Sequence, residues 1–192
     1  MGWLTIDPST NTGIAFYEPG QPVHTETWKL GAGKACHGQI FKRFLINLRR
    51  FCATHNVTDI AIEGQSFNSV GSLASKNLRE GWLPMTHLFC FQEKLPAPRD
   101  VPPAKWRTYF IGVGRAPKHI SKNAKTKWLK DKAMEKCRER GIYPANDDEG
   151  DAVGILFWAS NGGPEEQAKK RAEKKQASLE KRRQTKMDLQ PA

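Results

Sequence analysis

The chain has 192 residues, room for one domain with a real core and not for two large ones. Charged residues make up 27% and the hydrophobic set 38%, and the longest apolar stretch, residues 152–159, falls far short of the ~20 residues that a membrane span needs. Lys and Arg number 31 against 20 Asp and Glu, a formal net charge of +11, so the partner this surface favours is a polyanion, most simply nucleic acid. Residues 1–7 have no basic start and meet an acid at once, which argues against a signal peptide. Cys36, Cys52, Cys90 and Cys137 are scattered and form no CxxC pair. The expectation is a cytoplasmic protein without a disulfide framework or a zinc knuckle.

Taken in chain order, residues 3–6 and 13–17 are short apolar runs separated by the turn-rich Asp7-Pro8-Ser9-Thr10-Asn11-Thr12-Gly13, which predicts a hairpin. Residues 23–30 alternate well enough to be a third strand. Ile40, Phe41, Phe44, Leu45, Leu48, Phe51 and Cys52 recur at helical spacing, with Lys42, Arg43, Arg49 and Arg50 opposite, predicting an amphipathic helix over 35–55. Residues 57–63 form an apolar strand that ends in an acid. Residues 69–94 are mostly helical with an interruption near 81–84, and a short strand at 100–101 precedes Pro102-Pro103 and a brief helix over 105–110. A glycine loop at 112–115 leads to a basic helix over 120–140, and a last helix over 148–160 is apolar on most sides and so buried. A three-strand meander followed by alternating helix and strand is an α/β pattern, a mixed sheet flanked by helices.

Residues 1–163 make up the folded domain, and residues 164–192 a basic tail. The tail holds nine Lys/Arg against five acids and no aromatic residue, too little apolar surface to fold alone. It is either a solubilising, disordered or solvated-helical extension or a non-specific DNA-binding arm.

The most informative residues are carboxylates in apolar surroundings. Asp7 closes the first strand, Glu63 closes the fourth, and Asp148 and Asp151 open the last helix three residues apart, on one face. If the two strands are parallel neighbours, Asp7 and Glu63 emerge at the same sheet edge. Four acids gathered there repel one another and raise each other's pKa values unless a cation neutralises them. Oxygen-only ligands suit Mg²⁺ or Mn²⁺ and not zinc, and a pair of such ions supports phosphodiester hydrolysis. Each acid also has a structural explanation: Asp7 as a turn cap, Glu63 as a strand end, Asp147 or Asp148 as a helix N-cap.

These segments resemble the RuvC-type Holliday junction resolvases of the RNase H-like superfamily. The resemblance rests on residues 3–13, on Ile60-Ala61-Ile62-Glu63, on the glycine loop Gly112-Val113-Gly114-Arg115-Ala116-Pro117-Lys118, and on Asp148-Glu149-Gly150-Asp151-Ala152-Val153-Gly154, in that order over about residues 3–158. It implies an RNase H-like five-stranded sheet flanked by helices. It further implies a metal-dependent endodeoxyribonuclease that resolves four-way junctions by paired symmetric nicks, with two Mg²⁺ (or Mn²⁺) ions held by Asp7, Glu63, Asp148 and Asp151. It implies Lys118 as a basic residue near the scissile phosphate, Lys105 or Arg107 as a second one, Phe67 as an aromatic that stacks at the junction centre, and a homodimer. The compact length and basic tail suit a phage-type member. Arg115 on the glycine loop and the run Lys118, Lys122, Lys125, Lys127, Lys130 and Lys132, interleaved with Trp128, offer a basic surface for DNA backbone.

Trp3, Trp28, Trp106 and Trp158 read as core, Trp82 and Trp128 lie beside charge, and the five histidines have no metal-ligand spacing. The Asp7–Gly13 turn also resembles the first phosphate loop of actin-like ATPases, but a second nucleotide-binding lobe does not fit in this length, so no nucleotide cofactor is expected. The alternatives to a resolvase are an RNase H-like nuclease acting on other branched DNA or on RNA–DNA hybrid, and a non-catalytic nucleic-acid binder whose acids are caps.

Overall fold

The computed structural model describes residues 1–31, 35–64 and 72–163, together with helical positions 165, 168, 169, 172 and 176. Strands β1 (Trp3–Asp7), β2 (Asn11–Tyr17) and β3 (His24–Lys29) form the expected antiparallel meander. Helix α1 (His37–Thr54) then crosses to β4 (Asp59–Glu63), which lies parallel to β1, and α2 (Leu73–Gln92) crosses to β5 (Arg99–Val101), parallel to β4. The sheet order is β3-β2-β1-β4-β5. Helices α3 (Pro103–Phe110), α4 (Lys125–Glu139) and α5 (Asp147–Ser160) complete the chain. Among the described residues no helix is long and apolar enough to cross a membrane. All four cysteines are free.

Both faces of the sheet are covered, which is why β1 is buried at every position. Side chains alternate along a strand, so Leu4 and Ile6 pack with α1 and α2 while Trp3 packs with α3, α4 and α5. Asp7 shares the parity of Trp3 and Thr5, and Glu63 that of Ala61, so both acids fall on the α5 side. Thr5 fastens that side: its hydroxyl donates to the Ala152 carbonyl of α5 (2.8 Å) and the Ala15 carbonyl of β2 (3.1 Å).

Helix α5 sits close to the sheet and to its neighbours because it presents glycine where they cross it. A methyl on Gly150 would lie 2.6 Å from Met134 Sδ of α4, and one on Gly154 2.4 Å from the Trp106 ring of α3. Gly13 of β2 does the same for the start of α5, since a Cβ there would stand 2.1 Å from the Asp148 carbonyl oxygen.

Two expected elements differ. Helix α2 runs unbroken through Gly81–Pro84. Gly81 is a packing residue, with a Cβ there only 2.2 Å from the Phe41 ring, and Pro84 sits on the exposed side, where water can serve the carbonyl left without a donor. The basic helix over 120–140 divides into a 3-10 turn (Lys122–Ala124) and α4. Trp82 is buried in the core between Phe41 and Phe44, and Trp128 is half-buried. Position 67 lies outside the described residues, as does most of the tail.

Gly13→Ala forces the backbone of β2 away from α5, and the expected cost is ~1–3 kcal/mol of stability, the usual range for overpacking. Urea unfolding checks this; a midpoint equal to that of the parent chain contradicts the close approach.

Candidate active site

The parallel register pairs Ile6 with Ile62, so Asp7 and Glu63 leave the sheet side by side at its carboxyl edge. Helix α5 begins against that edge. Its N-cap is Asn146, whose side chain accepts from the Glu149 backbone N–H (3.1 Å), and not Asp147 or Asp148. Asn146-Asp147-Asp148-Glu149 has the N-x-x-E form of a capping box, a signal present in the sequence. With the cap at 146, Asp148 in the first turn and Asp151 in the next share the face of α5 near the two strand ends, and the helix dipole favours negative charge at the first turn.

Glu149 holds this turn down. Only 4% exposed, its carboxylate accepts from the hydroxyls of Thr25 (2.8 Å) and Thr27 (2.7 Å), from the Ala145 N–H (2.9 Å) and from the Asn146 side-chain amide (3.3 Å). Buried and satisfied on both oxygens, it joins β3 to the start of α5 and is a structural acid between two candidate ligands.

The remaining acids are in a different condition. Asp7, 9% exposed, has no hydrogen-bond donor and no direct cation partner among the described residues. Its carboxyl is raised well above the ordinary value by burial first, then by the charges of Glu63, Asp151 and Asp148, with Lys130 opposing. Burial likewise raises Glu63 against the pull of Arg107, Trp106 and Lys130. Burial lifts Asp151 to about 7, with Arg107 opposing and Glu63 adding to the rise. These carboxylates therefore form one electrostatic unit.

Two cations stand inside it. Arg107 of α3 reaches Glu63 Oε1 (3.4 Å) and Asp151 Oδ2 (3.6 Å) through one nitrogen. Lys130 of α4 reaches Asp148 Oδ1 (2.8 Å) and Asp147 Oδ2 (3.1 Å). Of the alternatives Lys105 and Arg107, the structure brings Arg107 to the acids and leaves Lys105 exposed on the other side of the same helix. Lys130 is a correction: it belongs to the acid cluster and not to a free basic face. Lys127 and Lys132 pair with Asp131 (3.0 Å) and Glu135 (2.5 Å) on their own helix. A third neighbour, Trp106, donates its indole N–H to Glu63 Oε1 (2.8 Å). Sequence reasoning missed Glu149 as an anchor and Trp106 as a partner of Glu63.

Beside Glu63 opens a groove of about 940 Å³ bordered by Arg79, Arg107, Arg115, Lys118 and Lys125. Lys122 is exposed and not part of this border. Arg79, Arg115, Lys118 and Lys125 have no acid partner among the described residues. A polyanionic chain lying here meets positive charge that has no acid partner among the described residues, and Glu63 of the acid cluster.

No protein-family model and no curated protein matches the sequence. Solved structures do match. The chain is similar to the Thermus thermophilus RuvC structure, with a TM-score of 0.59 at 19% identity over 85% of this chain and 98% of that one. It is similar also to T. thermophilus RuvC in complex with Holliday junction substrate, with a TM-score of 0.60 at 16% identity over the same shares of each chain. The fold is that of RuvC. The RuvC fold supplies the meander, the parallel β4 and the closing helix, and thereby the meeting of β1, β4 and α5 at one edge.

A divalent ion fits these residues in chemistry. The donors are all carboxylate oxygens, and Asp7 is a nine-tenths buried carboxylate with no donor among the described residues. As they stand, no three Asp, Glu, His or Cys side chains among the described residues converge on a single point, and Arg107 and Lys130 take up one oxygen each from Glu63, Asp151 and Asp148.

The raised carboxyls have a consequence for stability. They bind protons more readily folded than unfolded, so their contribution is full below the ordinary carboxylate value of ~4 and is lost as pH rises toward about 7, the Asp151 value. In EDTA the melting temperature is expected to fall between about pH 5 and pH 7.5, and Asp151→Asn to flatten that fall. Thermal melts across this range test it; a flat profile for the parent chain contradicts the clustering.

Proposed function

We propose that the protein is a metal-dependent endonuclease that cuts branched DNA at four-way junctions by paired symmetric nicks. The observation that carries this is the buried Asp7, without a donor among the described residues and coupled to Glu63, Asp148 and Asp151, with Glu63 also lining a cation-bordered groove, on a RuvC fold whose Thermus counterpart was solved in complex with Holliday junction substrate.

Asp7, Glu63, Asp148 and Asp151 would hold two Mg²⁺ ions, with Mn²⁺ as a substitute. Bound there, the metal pair supplies an activated water and charge stabilisation for the leaving oxygen. The chain's own part is to hold the phosphate and the acids. Lys118 and Arg115, without acid partners, bind the phosphate backbone and offset charge developing on the scissile group. Arg107 opposes the rise that burial gives Glu63 and Asp151 and orients both. Lys125 and Arg79 extend the cationic border along the strand, and Lys105 and Lys122, exposed nearby, add to the longer-range field. Backbone contacts of this kind read shape and not sequence, as a junction ligand requires. Residues 1–163 carry the site, and the tail 164–192 contributes non-specific DNA affinity. Phe67, four positions beyond the end of β4 in the sequence, is the aromatic assigned to the junction centre.

A four-way junction has two-fold symmetry, so symmetric nicks call for a homodimer. Helix α2 offers a contact face for it: Leu73, Leu88 and Phe91 lie at near-helical spacing on its outer side, and Phe91 is 83% exposed. Phe91→Glu is expected to convert a dimer into a monomer by sedimentation; a parent chain that is already monomeric contradicts the assignment.

The decisive experiment is a substrate panel in Mg²⁺: four-way junction, flap, linear duplex and RNA–DNA hybrid. The junction is expected to be cut symmetrically and at least 100-fold faster than linear duplex, on the order of 3 kcal/mol of discrimination. Asp7→Asn is expected to abolish cutting while junction binding persists. Equal cutting of hybrid or duplex rejects the junction assignment, and undiminished cutting by Asp7→Asn rejects the site.

A further inference from the structure

The two oxygens of Glu63 are treated differently by the fold. Oε1 receives the indole N–H of Trp106 (2.8 Å) and a guanidinium nitrogen of Arg107 (3.4 Å), while no donor among the described residues reaches Oε2. These donors come from consecutive residues of one helix, and that helix is placed by the sheet: Glu63 pairs in register with Val101, Pro102 caps α3, and α3 begins at Pro103. Trp106 is 0% exposed and cannot swing away. Its ring is clasped between Gly154, where any Cβ would stand 2.4 Å from it, and the Arg107 guanidinium 4.9 Å over its face. A fully buried indole with its single N–H aimed at a carboxylate is a fixed pin, whereas Arg107, on a long side chain, is an adjustable one.

Resting on the metal-dependent reading above, we propose that Trp106 is a positioning residue for that chemistry: its N–H pins Oε1 of Glu63 and so presents Oε2 alone to a divalent cation. A carboxylate ligand free to turn offers either one oxygen or two. One that is pinned has a single geometry and loses less freedom on binding, and such outer partners of a metal ligand typically change affinity by about 10–100-fold. The same pin sets the distance of Glu63 from Asp7, its neighbour across the β1–β4 pair, because the rotamer of Glu63 is set from the α3 side.

The test is Trp106→Phe in the full-length protein, which keeps an aromatic ring in the clasp and deletes the N–H. Mn²⁺ binding without DNA is followed by electron paramagnetic resonance of the free ion, alongside junction affinity and cleavage as a function of Mn²⁺. The expected result is Mn²⁺ affinity weaker by roughly 10–100-fold, junction affinity unchanged, and cleavage restored toward the parent rate at high Mn²⁺. Equal Mn²⁺ affinity in a folded Trp106→Phe protein overturns the positioning role while leaving the nuclease reading standing. A parent chain that binds no Mn²⁺ overturns both. Should Trp106→Phe fail to fold, the ¹⁵N-labelled parent chain decides: the Trp106 indole resonance is expected to shift as Mg²⁺ is added, and one that stays fixed through saturation overturns the inference.

Discussion

Mutual repulsion among buried carboxylates is the constraint on which the rest of this structure depends. Asp7, Glu63, Asp148 and Asp151 come from three separate parts of the chain and meet at one edge of the sheet, Asp7 and Asp151 buried and Glu63 and Asp148 half-buried. At an effective dielectric of about 20, two unit charges about 4 Å apart repel by ~4 kcal/mol, so such a group cannot persist ionised without compensation. Part of the compensation is internal: Arg107 and Lys130 each bridge two acids. The rest is not. Asp7 remains without a cation in contact among the described residues, and burial and its acidic neighbours raise its carboxyl well above the ordinary value. A fold that gathered these acids for stability alone would have answered Asp7 as completely as it answers Glu149, every oxygen of which has a donor.

That contrast between neighbours depends on how firmly α5 is held. Thr5 bonds to the Ala152 carbonyl from beneath, Glu149 ties the first turn to β3, and glycines at 13, 150 and 154 let β2, α4 and α3 approach to contact. The small residues of α5 thus have a mechanical role as well as a packing one. They set how near Lys130 and Trp106 come to the acids, because both ride on helices whose distance from α5 is fixed by a missing Cβ. Function and stability meet in the same few residues, so a larger side chain at Gly150 or Gly154 disturbs the electrostatics of the site through geometry alone.

Much of this was legible from residue pattern. Alternation and the turn between Asp7 and Gly13 give the hairpin, and the apolar run ending at Glu63 gives the parallel neighbour, so the meeting of Asp7 and Glu63 follows from strand parity. The choice between Lys105 and Arg107 was not legible, because two residues of helix turn a side chain through about 200° and the direction depends on where α3 starts, which Pro103 and the end of β5 decide together. Lys130 is a different case. It stands three residues before Ala133 and seven before Cys137, the two buried residues of α4, so helical periodicity already puts it on the inward stripe. A lysine on a buried stripe needs an acid, and Asp148 is that acid. The Trp106 N–H had no signal in the chain, since a buried tryptophan satisfies the core pattern whatever its nitrogen meets.

The cations of the protein consequently fall into two groups with different work. Arg107 and Lys130 are committed to acids, partly buried and held by two partners each, and they make the cluster tolerable before any ligand arrives. Arg115, Lys118, Lys125 and Arg79 border the groove with no acid partner among the described residues. Unpaired cations at a surface cost little in water and give up little when a phosphate approaches, whereas a paired one must first be released. On the proposed nuclease reading, a strand of DNA entering the groove would meet its binding charge ready and the charge at the acids already balanced. Replacement of a committed cation and replacement of a free one should then differ in kind: the first disturbs the acids and the chemistry, the second weakens capture and its dependence on salt.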